Sequence, residues 1–357
     1  MQLCATIRRT RRGLLAAVAG VLLLAGCASG STTDDAEAAG IDDAEPVSAD
    51  IDEARDDSSE APGAELDQLT IAISPILPTF NVFVAQEEGF FAAHGLEVDL
   101  QELFGSPLIA QAVQSGEVDL GTRNYDGIVS AIASGVDFQV VAPVVIYDDE
   151  HADAFVMLRS DLAEQGLQAI EGETFAVTLG SQQAEAVRQF LIDGGVDVDL
   201  VEFIEVGYGD MAAAFESGSL GGAHVVEPFI TQLEDAGLAV SMGAHLGYVA
   251  ERYLINAAFA RGEWIADNPE LVERFVAALS DASEFILADP DALLELASEW
   301  TGTPEDVLSR FYPERYVVSS TLPSAELQAP IDFNVAAGFH DPVSLDDVLA
   351  DAFPMSD

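Results

Sequence analysis

Apolar residues return in short alternating runs from residue 69 onward, and the runs fall in the same order twice. In the first pass, Leu69-Thr70-Ile71-Ala72-Ile73 opens a strand (69–74), and Pro75 and Pro78 lead into a helix from Phe80 to about Ala93. Gly95 takes the position just past that helix, where glycine supplies the left-handed turn. Leu96-Glu97-Val98-Asp99-Leu100 alternates with the period of two expected of a strand. Gly105-Ser106-Pro107 opens a second helix, with Ser106 suited to the N-cap and Pro107 to the first turn. It stops at Ser115-Gly116, and Val118-Asp119-Leu120-Gly121 returns as a strand.

The second pass repeats this order. A strand (174–178) leads through Gly180-Ser181 into a helix from Gln182 to about Ile192, and a strand (200–206) follows. Gly207-Tyr208-Gly209-Asp210 opens a helix with Asp210 as its expected N-cap. That helix stops at Ser217-Gly218, and Ala223-His224-Val225-Val226 returns. Two βαβαβ runs predict two α/β lobes, the alternative being one alternating sheet. The last third reads as helical. Asn268-Pro269 opens an amphipathic helix carrying Leu271, Val272, Phe275, Val276, Leu279 and Phe285-Ile286 on one side, and Asp289-Pro290 and Pro304 open two more.

No catalytic motif accompanies this pattern. The chain has no nucleophile elbow, no His-Glu-x-x-His and no Gly-rich phosphate loop ending in Lys. Gly207-Tyr208-Gly209 lacks the third glycine of a dinucleotide motif. The five histidines are scattered without metal-ligand spacing. Neither a metal nor a cofactor is expected. The repeated feature is instead a polar turn at a helix N-terminus directly after a strand, where unpaired N–H groups and a partial positive charge face the ligand side of an open sheet. Phe104-Gly105-Ser106, Gly180-Ser181-Gln182 and Tyr208-Gly209-Asp210 form that constellation. Arg123, in Thr122-Arg123-Asn124-Tyr125-Asp126, can fork onto a carboxylate, sulfonate or phosphate, or pair with Asp126. Phe80, Phe104, Tyr125 and Tyr208 offer aromatic surface for a cleft.

Composition changes the picture at the N-terminus and in the charge. Arg8, Arg9, Arg11 and Arg12 precede an uncharged run from Gly13 to Gly26, too short for a transmembrane helix and built like an export signal. Leu24-Ala25-Gly26-Cys27 resembles a prokaryotic lipobox, which implies cleavage before Cys27 and lipid on its thiol. Thr10-Arg11-Arg12-Gly13-Leu14-Leu15 also resembles a twin-arginine motif, and the general and twin-arginine export routes both stay open. Residues 28–65 are rich in Asp, Glu, Ala, Ser and Gly and read as an acidic disordered tether. Cys4 lies within the signal, so the mature chain has no disulfide. The formal charge of −50 excludes nucleic acid as a partner and suggests an acidic surface adapted to salt.

Further motifs carry a family resemblance. Phe83-Val84-Ala85-Gln86-Glu87-Glu88-Gly89-Phe90-Phe91 with Gly95-Leu96-Glu97-Val98, and Ala112-Val113-Gln114-Ser115-Gly116-Glu117-Val118-Asp119-Leu120-Gly121, resemble the nitrate/sulfonate/taurine and thiamine-pyrimidine-precursor family of solute-binding proteins. Glu227-Pro228-Phe229 and Asn268-Pro269-Glu270-Leu271-Val272 continue the likeness in the same order, over roughly residues 66–300. The resemblance implies a type II periplasmic-binding-protein fold. Lobe 1 would be 66–146 plus 247–357 and lobe 2 would be 147–246, with a hinge and a helical C-terminal part. It also implies an extracytoplasmic, lipid-anchored monomer that delivers a small organic solute to an ABC permease and its ATPase. The solute would be a sulfonate, a nitrate-like anion, a pyrimidine or an aromatic compound. A sensor module for a membrane receptor and an enzyme on the same fold are the alternatives. Site positions carried over are Phe80, Asn81, Gly105, Ser106, Thr122, Arg123, Asn124, Tyr125, Gly180, Ser181, Gln182 and Glu227. Gly222 departs from the family's Asp, and the cysteine-rich signature of the pyrimidine-synthesising branch is absent.

Overall fold

A computed structural model describes residues 66–103, 105–312 and 318–356, all within one compact unit, Ala61–Asp357. The export signal, Cys27, the tether and Phe104 lie outside the described residues.

The first expected run forms β1 (Asp67–Ile73), with Leu69, Ile71 and Ile73 pointing to one face of a sheet and Ala72 to the other. The single helix expected at 80–93 is two: α1 (Phe80–Glu87) and α2 (Phe90–Ala93), broken at Gly89, whose φ of 80° is left-handed. After β2 (Leu96–Glu102), α3 (Ser106–Ser115) begins one residue earlier than expected. Its N-cap is Gly105, whose carbonyl accepts from the amides of Leu108 and Ile109, so Ser106 is the first helical residue. β3 (Leu120–Asn124) then runs into α4 (Tyr125–Ala133) and β4 (Phe138–Asp148). Close packing fixes α3 on β3: a Cβ at Gly121 would sit 2.6 Å from Ile109 Cγ2.

The chain leaves this sheet after Asp148 for β5 (Ala154–Arg159), β6 (Thr174–Ala176), α5 (Gln182–Asp193), β7 (Glu202–Ile204), α6 (Tyr208–Glu216), β8 (Gly222–Val226), α7 (Phe229–Asp235) and β9 (Ala239–Ala244). Asp210 is not the N-cap of α6. Gly207 holds that position in extended geometry and accepts from the Asp210 amide, leaving Asp210 in the first turn, where a carboxylate complements the helix dipole. β10 (Arg252–Arg261) re-enters the first sheet, followed by α8 (Pro269–Ala288), α9 (Leu294–Thr301), α10 (Glu305–Leu308) and α11 (Ser324–Ala336).

Both sheets have five strands and one plan. The first is ordered β2-β1-β3-β10-β4 and the second β7-β6-β8-β5-β9. In each, three parallel strands continue into an antiparallel pair, and it is this pair that the six-strand sequence reading lacks. In the first lobe, α1, α2 and α8 cover one face through Phe80, Phe91, Phe275 and Leu279. The other face buries Ile109, Val113, Tyr125, Ile128 and Leu327. In the second lobe, Val187 and Leu191 of α5 cover one face, and Met211, Phe215 and Leu233 cover the other. A fully buried aliphatic or aromatic side chain contributes roughly 1.5–3 kcal/mol.

Candidate functional site

The C-terminal ends of the parallel strands in both sheets face one cavity of about 760 Å³, within the usual range for small-molecule sites. The first lobe supplies Pro75, Ile76, Leu77 and Pro78 after β1, Arg123 and Asn124 at the end of β3, Asp126 and Gly127 in α4, and Asn256 in β10. Its C-terminal segment adds Thr301, Thr303, Leu308 and Phe311. The second lobe supplies Asp153, Thr178, Ser181, Gln183, Tyr208, His224, Glu227, Phe229 and Gln232.

Of the positions expected from sequence, Arg123, Asn124, Ser181, Tyr208 and Glu227 line this cavity. Phe80 and Asn81 are fully buried beside it. Phe80 packs edge-on against Tyr312 at 6.0 Å, and Asn81 Nδ2 donates to the Val144 carbonyl at 3.0 Å, so both belong to the first lobe's core. Thr122 is buried in β3, and Tyr125 spends its hydroxyl on the Leu327 carbonyl. Gly180 forms the exposed left-handed turn before α5, and Asp210 is exposed on α6. Gly105 caps α3 without lining the cavity; Pro107, two residues on, lines it. Gln182 stands just behind the wall, and its Nε2 donates across the lobes to the Pro330 carbonyl at 3.3 Å.

Charge is distributed unevenly over the wall. Arg123 Nε has no hydrogen-bond partner among the described residues, and the guanidinium lies over Gly127, where a Cβ would come within 2.4 Å of Nη2. Burial holds the Arg123 pKa below the usual value, opposed by the charge of Asp126. Asp126 is shifted upward by burial, against amide hydrogen bonds from Gly127, Gln182 and its own N–H and the charge of Arg123. Glu227 accepts from the Thr231 amide at 3.2 Å. Ser181 caps α5 by accepting from the Ala184 amide and donates to the Thr178 carbonyl.

An aromatic and imidazole wall lies on the second lobe. The rings of Tyr208 and Phe229 stack at 5.4 Å, and burial and then the charge of Asp153 push the Tyr208 hydroxyl upward. His224 stands 6.3 Å from the Tyr208 ring, and its Nδ1 bonds to His245 Nε2 at 2.9 Å. Burial lowers the His224 pKa to about 4. Burial and then the neighbouring His224 lower His245 well below the usual histidine value. Sequence reading passes over both, although a histidine between Ala223 and Val225 in an apolar strand is itself a signal. Asp153, Thr301, Thr303 and Phe311 carry no local signal and reach the cavity only through long-range packing. No group of three or more His, Cys, Asp or Glu side chains among the described residues could hold a metal ion.

Two α/β lobes that close a solute-sized cavity between strand ends define the periplasmic-binding-protein architecture. Comparison with solved structures agrees: a ligand-binding component of an ABC-type import system from Staphylococcus aureus, solved with zinc bound, superimposes with a TM-score of 0.66 at 15% identity. The match covers 80% of this chain and 96% of that one. The profile of the NMT1-like family matches residues 62–300, and the chain belongs to that family. A Brucella abortus protein named as a binding protein is 25% identical over 221 residues, covering 61% of this chain and 66% of that protein. The chain therefore spans slightly less than two thirds of the length of that relative. The taurine-binding periplasmic protein of Escherichia coli is 23% identical over 256 residues, covering 70% of this chain and 78% of that protein. One relative is named as an enzyme, the 4-amino-5-hydroxymethyl-2-methylpyrimidine phosphate synthase of Aspergillus parasiticus, 26% identical over 239 residues and matched over 60% of this chain and 64% of that protein.

Proposed function

We propose that this protein is the solute receptor of an ABC importer, held outside the cell membrane by lipid on Cys27 and without enzymatic activity. It captures a small organic solute between its lobes and delivers it to a permease and its ATPase. The observation that carries this reading is the cavity itself, lined from both sheets by a few polar groups on apolar walls. Closure would bend the two connections between the sheets, 149–153 and 245–251. The solute-binding proteins among its relatives and the expected export signal support the same reading. Size favours an organic solute over nitrate: at about 30 Å³ per water, 760 Å³ is room for at least about 25 waters, far more than a four-atom anion fills. The net charge of −50 suits a saline exterior, where screening confines repulsion of anionic solutes to contact range.

The test is a thermal-shift and calorimetric screen of the mature protein against sulfonates, taurine, nitrate, pyrimidines, riboflavin and aromatic acids. A true solute at one hundred times its Kd adds about 2.7 kcal/mol of stability. Binding of nitrate alone, or conversion of a bound compound into product, overturns the proposal. Mass spectrometry of the membrane-extracted protein should find a lipid-modified Cys27 as the first residue.

A further inference from the structure

The His224–His245 pair has a hydrogen-bond pattern that can be worked out atom by atom. The rings cross at 87° and share a single bond, between His224 Nδ1 and His245 Nε2 at 2.9 Å. His245 is 0% exposed, and its Nδ1 has no hydrogen-bond partner among the described residues. His224 is 5% exposed and lines the cavity. Burial disfavours the charged form of both rings; as neutral imidazoles each carries one proton, and only two arrangements keep the shared bond.

In one arrangement His224 Nδ1–H donates to His245 Nε2. His245 then carries its proton on Nδ1, a buried donor with no acceptor, and His224 is left with a bare Nε2. In the other, His245 Nε2–H donates to His224 Nδ1. The orphan is then a bare acceptor on His245, and His224 carries its proton on Nε2. Orphaned buried N–H groups are rarer in proteins than under-satisfied acceptors. The second arrangement also puts both rings in the Nε2–H tautomer that free histidine prefers. Both considerations select it.

We propose that His224 is a specificity-determining residue of the cavity: a neutral Nε2–H donor, fixed in that tautomer by His245 as a positioning residue. The solute it accepts places a hydrogen-bond acceptor, such as a carbonyl, sulfonyl or ring nitrogen oxygen or lone pair, against the second lobe at this point. A protonated amine there meets a donor and is rejected. The neighbouring Tyr208–Phe229 stack supplies an apolar surface beside the donor. This inference rests on the cavity being the solute site, but its test does not require the natural solute.

The experiment uses the mature protein labelled with ¹⁵N in its histidine rings. Long-range ¹H–¹⁵N correlation spectra distinguish the two neutral tautomers, and His224 is assigned by loss of its signals in His224→Phe. The expected result is the Nε2–H form for both rings. His245→Leu should release His224 into a mixture of tautomers. His245→Gln, whose amide can again donate to His224 Nδ1, should restore the Nε2–H form. Titration with dimethyl sulfoxide, an acceptor-only probe, should shift the His224 Nε2–H signal, and methylammonium, a donor-only probe, should leave it in place. An Nδ1–H tautomer at His224, or a response to methylammonium and none to dimethyl sulfoxide, overturns the proposal. A solute screen that finds no ligand would count against the receptor reading and leave the tautomer result standing.

Discussion

Burying two histidines as a neutral pair ties the stability of this protein to pH. His224 has its pKa lowered from 6.5 to about 4 by burial, and His245 is lowered well below 6.5 by burial and by its neighbour. Below pH 6.5 the unfolded chain binds protons that the folded chain refuses, so the stabilisation is complete above that pH and is lost as the pH falls toward 4. At 1.36 kcal/mol per pH unit, the full loss for His224 alone is about 3 kcal/mol, of which about 2 kcal/mol has gone by pH 5. Against a typical total of about 5–15 kcal/mol, this is measurable. The assay is urea unfolding at pH 7.5 and pH 5 for the wild type and for His224→Phe/His245→Leu. Salt is held constant, so that the protonation of carboxylates affects both proteins alike. The difference in stability between the two should shift by about 2 kcal/mol or more in favour of the variant on acidification. Parallel pH profiles would refute the assignment of a buried neutral pair. So would ring signals that titrate near the ordinary histidine value in the folded wild type.

Arg123→Gln should weaken binding of any acidic or sulfonyl solute at least about tenfold, because a hydrogen bond to a charged group contributes about 1.5–3 kcal/mol; calorimetry with the solute found in the screen checks it. Gly127→Ala should do the same without touching the guanidinium chemically, since the added methyl occupies the space of Nη2; unchanged affinity would show that the arginine is not held in place by this contact. Gly222→Asp should cost at least about 3 kcal/mol by overpacking and by burying a carboxylate. A Cβ there would lie 2.7 Å from Phe175 and 2.8 Å from Leu158, and an undiminished melting temperature would contradict that packing. Raising salt from 0.1 to 2 M should raise the melting temperature of the wild type, because screening relieves repulsion among 63 acidic side chains.

Elements with strict periodicity were legible in the chain itself. Leu69, Ile71 and Ile73 mark β1, and Val272, Phe275, Val276 and Leu279 mark the buried side of α8, because in both cases local spacing and tertiary burial demand the same residues. The antiparallel strands β4, β5, β9 and β10 were not legible. Phe138 to Tyr147 is a near-continuous apolar run, buried on both faces, and such a run lacks the alternation that separates a strand from a buried helix. In the site, residues at strand ends were legible where a turn signal accompanied them, as with Asn124 and Ser181. Phe80 and Asn81 were misplaced because Pro75 to Pro78 occupy the cavity wall after β1 and turn the start of α1 into the core.

Of the turns expected to face a solute, the one that opens α5 stands near a buried side chain of the first lobe, Asp126. Burial raises the pKa of Asp126, in the first turn of α4, and the nearby amides of Asp126 and Gly127 in its own helix and of Gln182 at the start of α5 oppose that shift. The partial positive charge of two helix N-termini, one from each lobe, thus favours the charged form of a side chain of the protein itself. A solute anion has no free pair of helix ends to claim at this point. Among the side chains that line the cavity and can donate to an acceptor are Arg123 from the first lobe and His224 from the second. On the reading proposed above, an acceptor-bearing solute would be bound through side chains, one charged and one neutral, on opposite sides of the cleft.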